Sequence, residues 1–295
     1  MSELVMLVGL WGSGKTTYAE KMRKEGYEVF SSDMVRKDLH KDERMKDDME
    51  LIFDILNKRV KQALLDGKRC IYDASNIRYK WRMEFLSSID FPCKKKAIIF
   101  ATPIETCLER LKKSDKPVSN DVMRRLVKKY WVPGFYEGFD EIAIEHQGFI
   151  DFRLEDIMDY SQENPHHSLT LGEHMAAACR YAKDKGFDER IVIAAKYHDC
   201  GKGYAKTYID RLGNISDVAH YYEHENISAY MFLCMDPKKL GISDEEQLKI
   251  ATLINWHMRP LYWEMGGDRD RDISIFGEDM MDDLMKLHEA DSNAK

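Results

Sequence analysis

Eight residues near the start of the chain constrain its fold more than any others. Gly9-Leu10-Trp11-Gly12-Ser13-Gly14-Lys15-Thr16 follows the short apolar run Leu4 to Val8 and opens a stretch of helical spacing from Thr16 to Lys24. A buried strand that passes through a glycine-rich turn into a helix is the setting the pattern GxxxxGK[ST] requires. Glycines let the backbone curl until successive N–H groups face one anion, and the helix N-terminus adds the positive end of its dipole. On this reading Gly12, Ser13, Gly14, Lys15, Thr16 and Thr17 cradle the phosphates of ATP or another NTP. Lys15 neutralises β/γ-phosphate charge and the Thr16 hydroxyl ligates Mg2+.

The rest of the first half keeps the same rhythm. Tyr27 to Phe30, Cys70 to Tyr72, Ala97 to Phe100 and Glu141 to Glu145 read as strands. Met49 to Leu65, Trp81 to Ser87, Thr106 to Lys113 and Asp121 to Tyr130 read as helices. Such alternation predicts an α/β domain over residues 1–155, a parallel sheet flanked by helices. From Leu169 on, nearly every segment has helical spacing: Glu173 to Lys185, Glu189 to His198, Glu223 to Met235, Glu245 to Trp256 and Asp279 to His288. This predicts an all-α domain over 160–295, with the boundary in the polar stretch Ser161-Gln162-Glu163-Asn164-Pro165.

Composition agrees with two globular domains. The chain has 295 residues, 44% hydrophobic and 33% charged with mixed signs, which excludes a disordered or collagen-like chain. No apolar run approaches the ~18–20 residues that cross a bilayer. The N-terminus lacks the basic region of a signal peptide, and the six cysteines form no CxxC pair, so reduced thiols in the cytoplasm are expected. The net charge of −7 is uneven, +4 over residues 1–150 and −11 over the remainder. That balance leaves a nucleic-acid substrate open. No zinc finger, RRM signature or long basic arm is present, so contact with nucleic acid would run through backbone phosphates.

Ser31-Ser32-Asp33 closes the second strand, and Arg36 follows. The crevice beyond the C-terminal strand ends is where open α/β sheets bind ligands. There Asp33 can accept a proton from an attacking hydroxyl, and Arg36 can hold a phosphate of the acceptor. The alternative is a helix N-cap beside a solvated arginine. The loop together with Ser32-Asp33-x-x-Arg36 resembles the 5′-hydroxyl polynucleotide kinases of tailed phages and related RNA-repair enzymes, over roughly residues 1–150. The resemblance implies that Asp33 is the general base for a 5′-OH and that Arg36 contacts the adjacent phosphate. Asp73-Ala74-Ser75-Asn76 is similar to the D-x-[ST]-N of these kinases, which gives Asp73 and Asn76 to site architecture. Lys112, Lys113, Lys116, Arg124, Arg125, Lys128 and Lys129 form a basic cluster. By the same resemblance, Arg124 or Arg125 closes as a lid on the transferring phosphate; the alternative is a solvated basic face.

Eight of the ten histidines follow residue 160. His174, His198-Asp199, His224, His257 and Asp291 give the order H…HD…H…H…D, on or beside helical segments. Imidazole and carboxylate donors suit Zn, Mn, Fe, Co or Ni. The order resembles the HD phosphohydrolase superfamily over about residues 160–295. The resemblance implies one metal held by His174, His198, Asp199 and Asp291. His224 and His257 match the extra ligands of the two-metal members, where the aspartate bridges; the alternative is that they contact the substrate phosphate. Lys202, in His198-Asp199-Cys200-Gly201-Lys202, can contact a phosphate oxygen or assist the leaving group, or be a solvated helix-end lysine. His166 and His167 match a segment seen in HD enzymes acting on nucleotide or RNA phosphates, and would line the pocket.

Together these resemblances imply a two-domain enzyme that heals RNA or DNA ends. One domain transfers the NTP γ-phosphate to a 5′-OH. The other hydrolyses a terminal 2′,3′-cyclic, 2′- or 3′-phosphate. An RNA ligase downstream is the implied partner, and the cytoplasm, of a host cell if the chain is phage-encoded, is the implied location. Two alternatives stay open: a nucleoside or nucleotide kinase joined to an HD nucleotidase, and a kinase with a regulatory HD module.

Overall fold

The computed structural model describes residues 2–39, 48–115, 117–165 and 168–294. Its contacts divide the chain into two compact units, residues 1–117 with 133–147, and residues 118–132 with 148–295. Lys116, His166 and His167 lie outside the described residues.

Five parallel strands form the sheet of the first unit: β1 (Glu3–Val8), β2 (Glu28–Ser31), β3 (Arg69–Asp73), β4 (Lys94–Ala101) and β5 (Glu141–His146). Their order is β2-β3-β1-β4-β5. β1 sits at the centre, with Leu4 opposite Cys70 of β3 on one side and Lys95 of β4 on the other. A central strand covered on both faces has no polar side, and Leu4 to Val8 is buried without a break. Helices α1 (Lys15–Lys24), α2 (Ser32–Leu39), α3 (Met49–Leu65), α4 (Tyr79–Ser87) and α5 (Ile104–Lys112) lie between the strands in sequence. Ala19 of α1 joins Val5, Leu7, Val29, Ile71, Ile98 and Phe100 in one core cluster. Asp48 caps α3 by accepting the Leu51 N–H at 3.1 Å, and Ile52, Leu56, Val60 and Leu64 recur on its buried face.

The second unit contains α6 (Asn120–Val127), α7 (Leu171–Asp184), α8 (Glu189–Tyr197), α9 (Lys202–Ala205), α10 (His224–Leu233), α11 (Pro237–Leu240), α12 (Asp244–Trp256), α13 (Arg259–Glu264), α14 (Arg269–Phe276) and α15 (Glu278–Ser292). Reciprocal capping boxes start two of them, Thr170 with Glu173 at α7 and Ser243 with Glu246 at α12. The unit is not all-α. β6 (Thr207–Ile209) and β7 (Ile215–His220) pair antiparallel. Asp210 builds the turn between them: its Oδ1 accepts the N–H groups of Leu212 and Asn214, each at 2.8 Å. Helical periodicity does not report a turn made by one side chain.

The units also depart from a single boundary near residue 155. The segment 118–132 belongs with the helices. Tyr130 packs edge-on against Tyr230 at 4.7 Å, and Trp131 meets Trp256 at 4.3 Å. Asn226 donates to Lys128 O at 2.6 Å, Asn255 donates to Asn226 Oδ1 at 2.7 Å, and the Val132 N–H donates to Asn255 Oδ1 at 2.7 Å. A chain of two buried asparagines therefore fixes this segment to α10 and α12.

In the first unit, Arg82 of α4 is enclosed with Glu137. Their side chains are 1% and 0% exposed, and two bonds of 2.7 Å join the guanidinium to the carboxylate. Arg82 Nη1 also donates to Asn76 O at 2.7 Å, which fixes the turn after β3. Removing one partner of such a pair strands a buried charge. Arg82→Ala is expected to lower unfolding stability by about 3–5 kcal/mol. Urea titration measures this, and Arg82→Met combined with Glu137→Leu should recover most of the loss.

Candidate functional site

The loop after β1 forms a cradle by backbone constraint. Gly12 and Gly14 have φ of 79° and 105°, conformations that favour glycine. A Cβ on Gly12 would stand 2.7 Å from Cys107 O. Thr102 Oγ1 donates to Ser13 O at 2.9 Å, and Arg110 donates to Gly12 O at 3.3 Å, so β4 and α5 brace the loop from behind. Lys15 is buried. Its Nζ bonds Leu10 O at 2.6 Å, Gly9 O at 3.0 Å and Ser13 Oγ at 3.3 Å. Burial lowers its pKa to about 8, although Asp73 opposes the shift. Thr16 Oγ1 donates to Asp73 Oδ2 at 3.1 Å. Burial raises the Asp73 carboxyl, against Lys15 and Thr16.

A cavity of about 580 Å³ opens over this loop. Gly12 to Thr17 line it. Tyr18, Lys21, Arg110 and Gln147 line it too, and sequence reasoning missed them. Arg110 and Gln147 lie about a hundred residues and more from the loop, and no local pattern marks them. Asn76 has a left-handed φ of 49°, which asparagine tolerates, and donates to Leu7 O at 2.8 Å. It ties the ends of β3 and β1 together.

Asp33 stands in the first turn of α2. It is not the cap of this helix: Ser31 Oγ accepts the Met34 N–H at 3.1 Å. The Asp33 carboxylate instead pairs with Arg36 at 2.7 Å. Arg124 and Arg125 lie exposed on α6, in the second unit, where Met123 and Val127 hold the inner face. Lys128, one turn on, is half-buried, and its ammonium donates to Ala205 O at 3.3 Å.

In the second unit four imidazoles converge. Each turns its Nδ1 to a backbone carbonyl: His174 to Ala294 O at 2.8 Å, His198 to Ala195 O at 2.9 Å, His224 to Tyr221 O at 2.8 Å and His257 to Ile254 O at 2.7 Å. This fixes the tautomer and leaves every Nε2 facing inward. His174 and His198 approach within 3.2 Å, and His224 and His257 within 3.3 Å. Asp199 lies between the pairs. Its Oδ2 is 3.4 Å from His174 and 3.3 Å from His198; its Oδ1 is 3.0 Å from His224 and 3.9 Å from His257. Asp291 Oδ1 stands 3.0 Å from His174 and 3.4 Å from His198. Two groups of donors result, His174 with His198 and Asp291, and Asp199 with His224 and His257, each gathered within 4.8 Å. Imidazole nitrogens backed by carbonyls, with carboxylate oxygens among them, are a donor set that fits divalent transition metals.

Charge follows this geometry. Burial resists protonation of His174 and His198, but the carboxylates Asp199 and Asp291 outweigh it and raise them to about 9 and 10. Burial, with His198 and His224 alongside, lowers His257 to about 3. Despite burial, the facing imidazoles hold the Asp199 and Asp291 carboxyls well below the usual range.

His174 rides within α7 and Asp291 within α15, while His198 and His257 close the ends of α8 and α12. Glu223 takes a left-handed φ of 57°, so that His224 opens α10. Lys202 is buried rather than solvated. It bonds Asp199 Oδ2 at 2.7 Å and Gln162 Oε1 at 2.9 Å. Gly201 has a packing reason, since a Cβ there would lie 2.5 Å from Ser228 N and 2.9 Å from His224 O.

A family model described as an AAA domain matches residues 4–130. No curated protein matches the chain in sequence. Among solved structures, a protein of Chloroflexus aurantiacus described as a candidate kinase shares 16% identity at a TM-score of 0.33, over 38% of this chain and 65% of its own. A chain of the Pnkp1/Rnl/Hen1 RNA repair complex shares 21% identity at a TM-score of 0.40, over 43% of each chain. The APS kinase CysC of Mycobacterium tuberculosis shares 18% at 0.34, over 50% of this chain and 90% of its own. The alignment thus spans less than two thirds of the first two relatives. Strand order, parallel sense and the loop after β1 give the first unit a P-loop fold. Among the described residues, no helix is long and apolar enough to cross a membrane.

Two outcomes are expected here. Lys15 carries its charge below about pH 8 and loses it above. Affinity for a non-hydrolysable ATP analogue should fall as pH rises from 7 to 9, by up to about tenfold per unit. Calorimetric titration reads this, and Lys15→Met should bind weakly with a flat profile. Gly201→Ala should cost about 1–3 kcal/mol by overpacking α9 against α10, seen as a lowered Tm.

Proposed function

We propose that the chain is a bifunctional enzyme that heals nucleic-acid ends. Its first unit transfers the γ-phosphate of an NTP to a 5′-OH, and its second unit hydrolyses a terminal 2′,3′-cyclic, 2′- or 3′-phosphate of RNA. The observation that carries this reading is the inward turn of four imidazole Nε2 atoms around one aspartate, in the same chain as a complete phosphate cradle.

In the kinase reaction Gly12 to Thr17 hold the nucleotide phosphates through backbone N–H groups, and Lys15 exchanges its loop carbonyls for phosphate oxygens. Thr16, hydrogen-bonded to Asp73, would hold Mg2+. Asp33 accepts the proton of the 5′-OH, and Arg36, now paired with it, holds the neighbouring phosphate. Arg124 or Arg125 stabilises the charge that builds on the transferring group.

In the second unit His174, His198, Asp199 and Asp291 would hold one metal, and Asp199, His224 and His257 a second. A bound transition metal supplies a water of lowered pKa and polarises the phosphoryl oxygen. Asp199 offers one oxygen to each site. Lys202 keeps the Asp199 carboxylate oriented and would put positive charge near the leaving group.

The test uses one RNA oligonucleotide with a 5′-OH and a 2′,3′-cyclic phosphate, incubated with ATP, Mg2+ and Mn2+, both ends read by mass spectrometry. A gained 5′-phosphate and an opened or lost terminal phosphate are expected. Asp33→Ala should abolish the first change alone. His198→Ala with Asp199→Ala should abolish the second alone and empty the protein of transition metal by elemental analysis. An unmodified 5′ end beside conversion of free nucleosides would refute the polynucleotide reading.

A further inference from the structure

Beyond Asp33 and Arg36, a continuous strip of side chains runs across the first unit. Arg36 Nη2 lies 3.4 Å from the sulfur of Met49, the first residue of α3. Phe53 follows one helical turn later, on the same face of α3. Its ring meets that of Trp81 at 5.1 Å, and the Arg78 guanidinium lies over the Trp81 ring at 4.7 Å. Trp81 and Arg78 come from the start of α4, just beyond the C-terminal end of β3 and thus on the ligand-binding edge of the sheet.

Trp81 has no part in the core. It is 41% exposed, and Met34 and Met49 are 41% and 39% exposed. Burying an indole is strongly favourable, and a soluble surface that leaves one half-open beside other apolar side chains marks a contact site. Phe53, tilted against the ring, and Arg78, over it, hold the indole in a defined orientation. The strip carries the cations Arg36 and Arg78. Fixed aromatic planes interleaved with guanidinium groups suit single-stranded nucleic acid: bases stack on the ring and backbone phosphates meet the cations. A small acceptor held at Asp33 and Arg36 would not extend to Trp81.

We propose that Trp81, held in place by Arg78 and Phe53, is the platform on whose exposed surface a base of the acceptor strand stacks, beyond the nucleotide that carries the reacting 5′-OH. Arg78 takes an adjacent backbone phosphate. The occupant is therefore a single-stranded 5′ end longer than one nucleotide. This inference rests on the reading of the first unit as a polynucleotide kinase.

The test compares a nucleoside 3′-phosphate, a dinucleotide and a ten-nucleotide strand, each with a 5′-OH, as acceptors for the wild-type protein, Trp81→Ala, Trp81→Phe and Arg78→Gln. The wild-type KM should fall as the acceptor lengthens. Trp81→Ala should raise the KM for the ten-nucleotide strand about tenfold, and by less than about twofold for the nucleoside 3′-phosphate. Trp81→Phe, which keeps an aromatic face, should recover all but about threefold. Arg78→Gln should raise the long-acceptor KM and flatten its salt dependence. Should Trp81→Ala unfold, Trp81→Phe gives the same answer by fluorescence, because wild-type emission should be quenched by the ten-nucleotide strand and the variant's change should be smaller. Equal KM values for wild type and the Trp81 variants at every length would overturn the platform while leaving the polynucleotide reading intact. Failure of the wild type to phosphorylate either strand, with the nucleoside 3′-phosphate accepted, would overturn both.

Discussion

A carboxylate enclosed by four imidazoles sets the terms for the helical unit. Asp199 is buried, so everything near it must answer its charge: His174 and His198 on one oxygen, His224 and His257 toward the other, and Lys202 at 2.7 Å. The price of placing so many titratable groups together is precise helix ends. α8 stops at His198, α12 stops at His257, and α10 starts at His224 behind a residue in a left-handed conformation. Local carbonyls three residues before His198, His224 and His257 hold their rings, so each orientation is set by the helix end itself. α15 closes the set from a distance in sequence by supplying Asp291, and Ala294, just past its end, supplies the carbonyl behind His174.

The two buried lysines show how one residue type serves different ends. Lys15 is held by carbonyls and a hydroxyl of its own loop, neutral acceptors that do not compensate burial, and its pKa falls. Lys202 sits against a carboxylate whose own charge is held by imidazoles. The first is poised to take up a new anion, and the second is already committed to one.

Much of this was legible in sequence because it follows local rules. The continuous apolar run of β1, the 3.6-residue spacing of α3 and the glycines of the cradle each report their own geometry. The histidine and aspartate order named the residues that converge in space. What escaped depends on partners remote in sequence. The hairpin of β6 and β7 rests on the Asp210 side chain and on strands too short to show alternation. Helix α6 was visible as a helix, but the partners of the residues just after it, Tyr230, Asn226 and Asn255, lie about a hundred residues away, so the place of this segment in the second unit was not. Arg110 and Gln147 reach the cradle from the far side of the sheet's sequence, and Arg82 with Glu137 is an interior pair that composition reads as two surface charges.

The chain leaves the first unit before residue 118 and re-enters it at 133 to supply β5, before leaving again after 147. No single peptide bond therefore separates the two bodies. A truncation placed between 147 and 148 would deprive the helices of the segment that carries Tyr130 and Trp131. One placed before 118 would strip the sheet of its last strand. The two bodies are interlaced along the chain, so neither can be removed whole by a single cut.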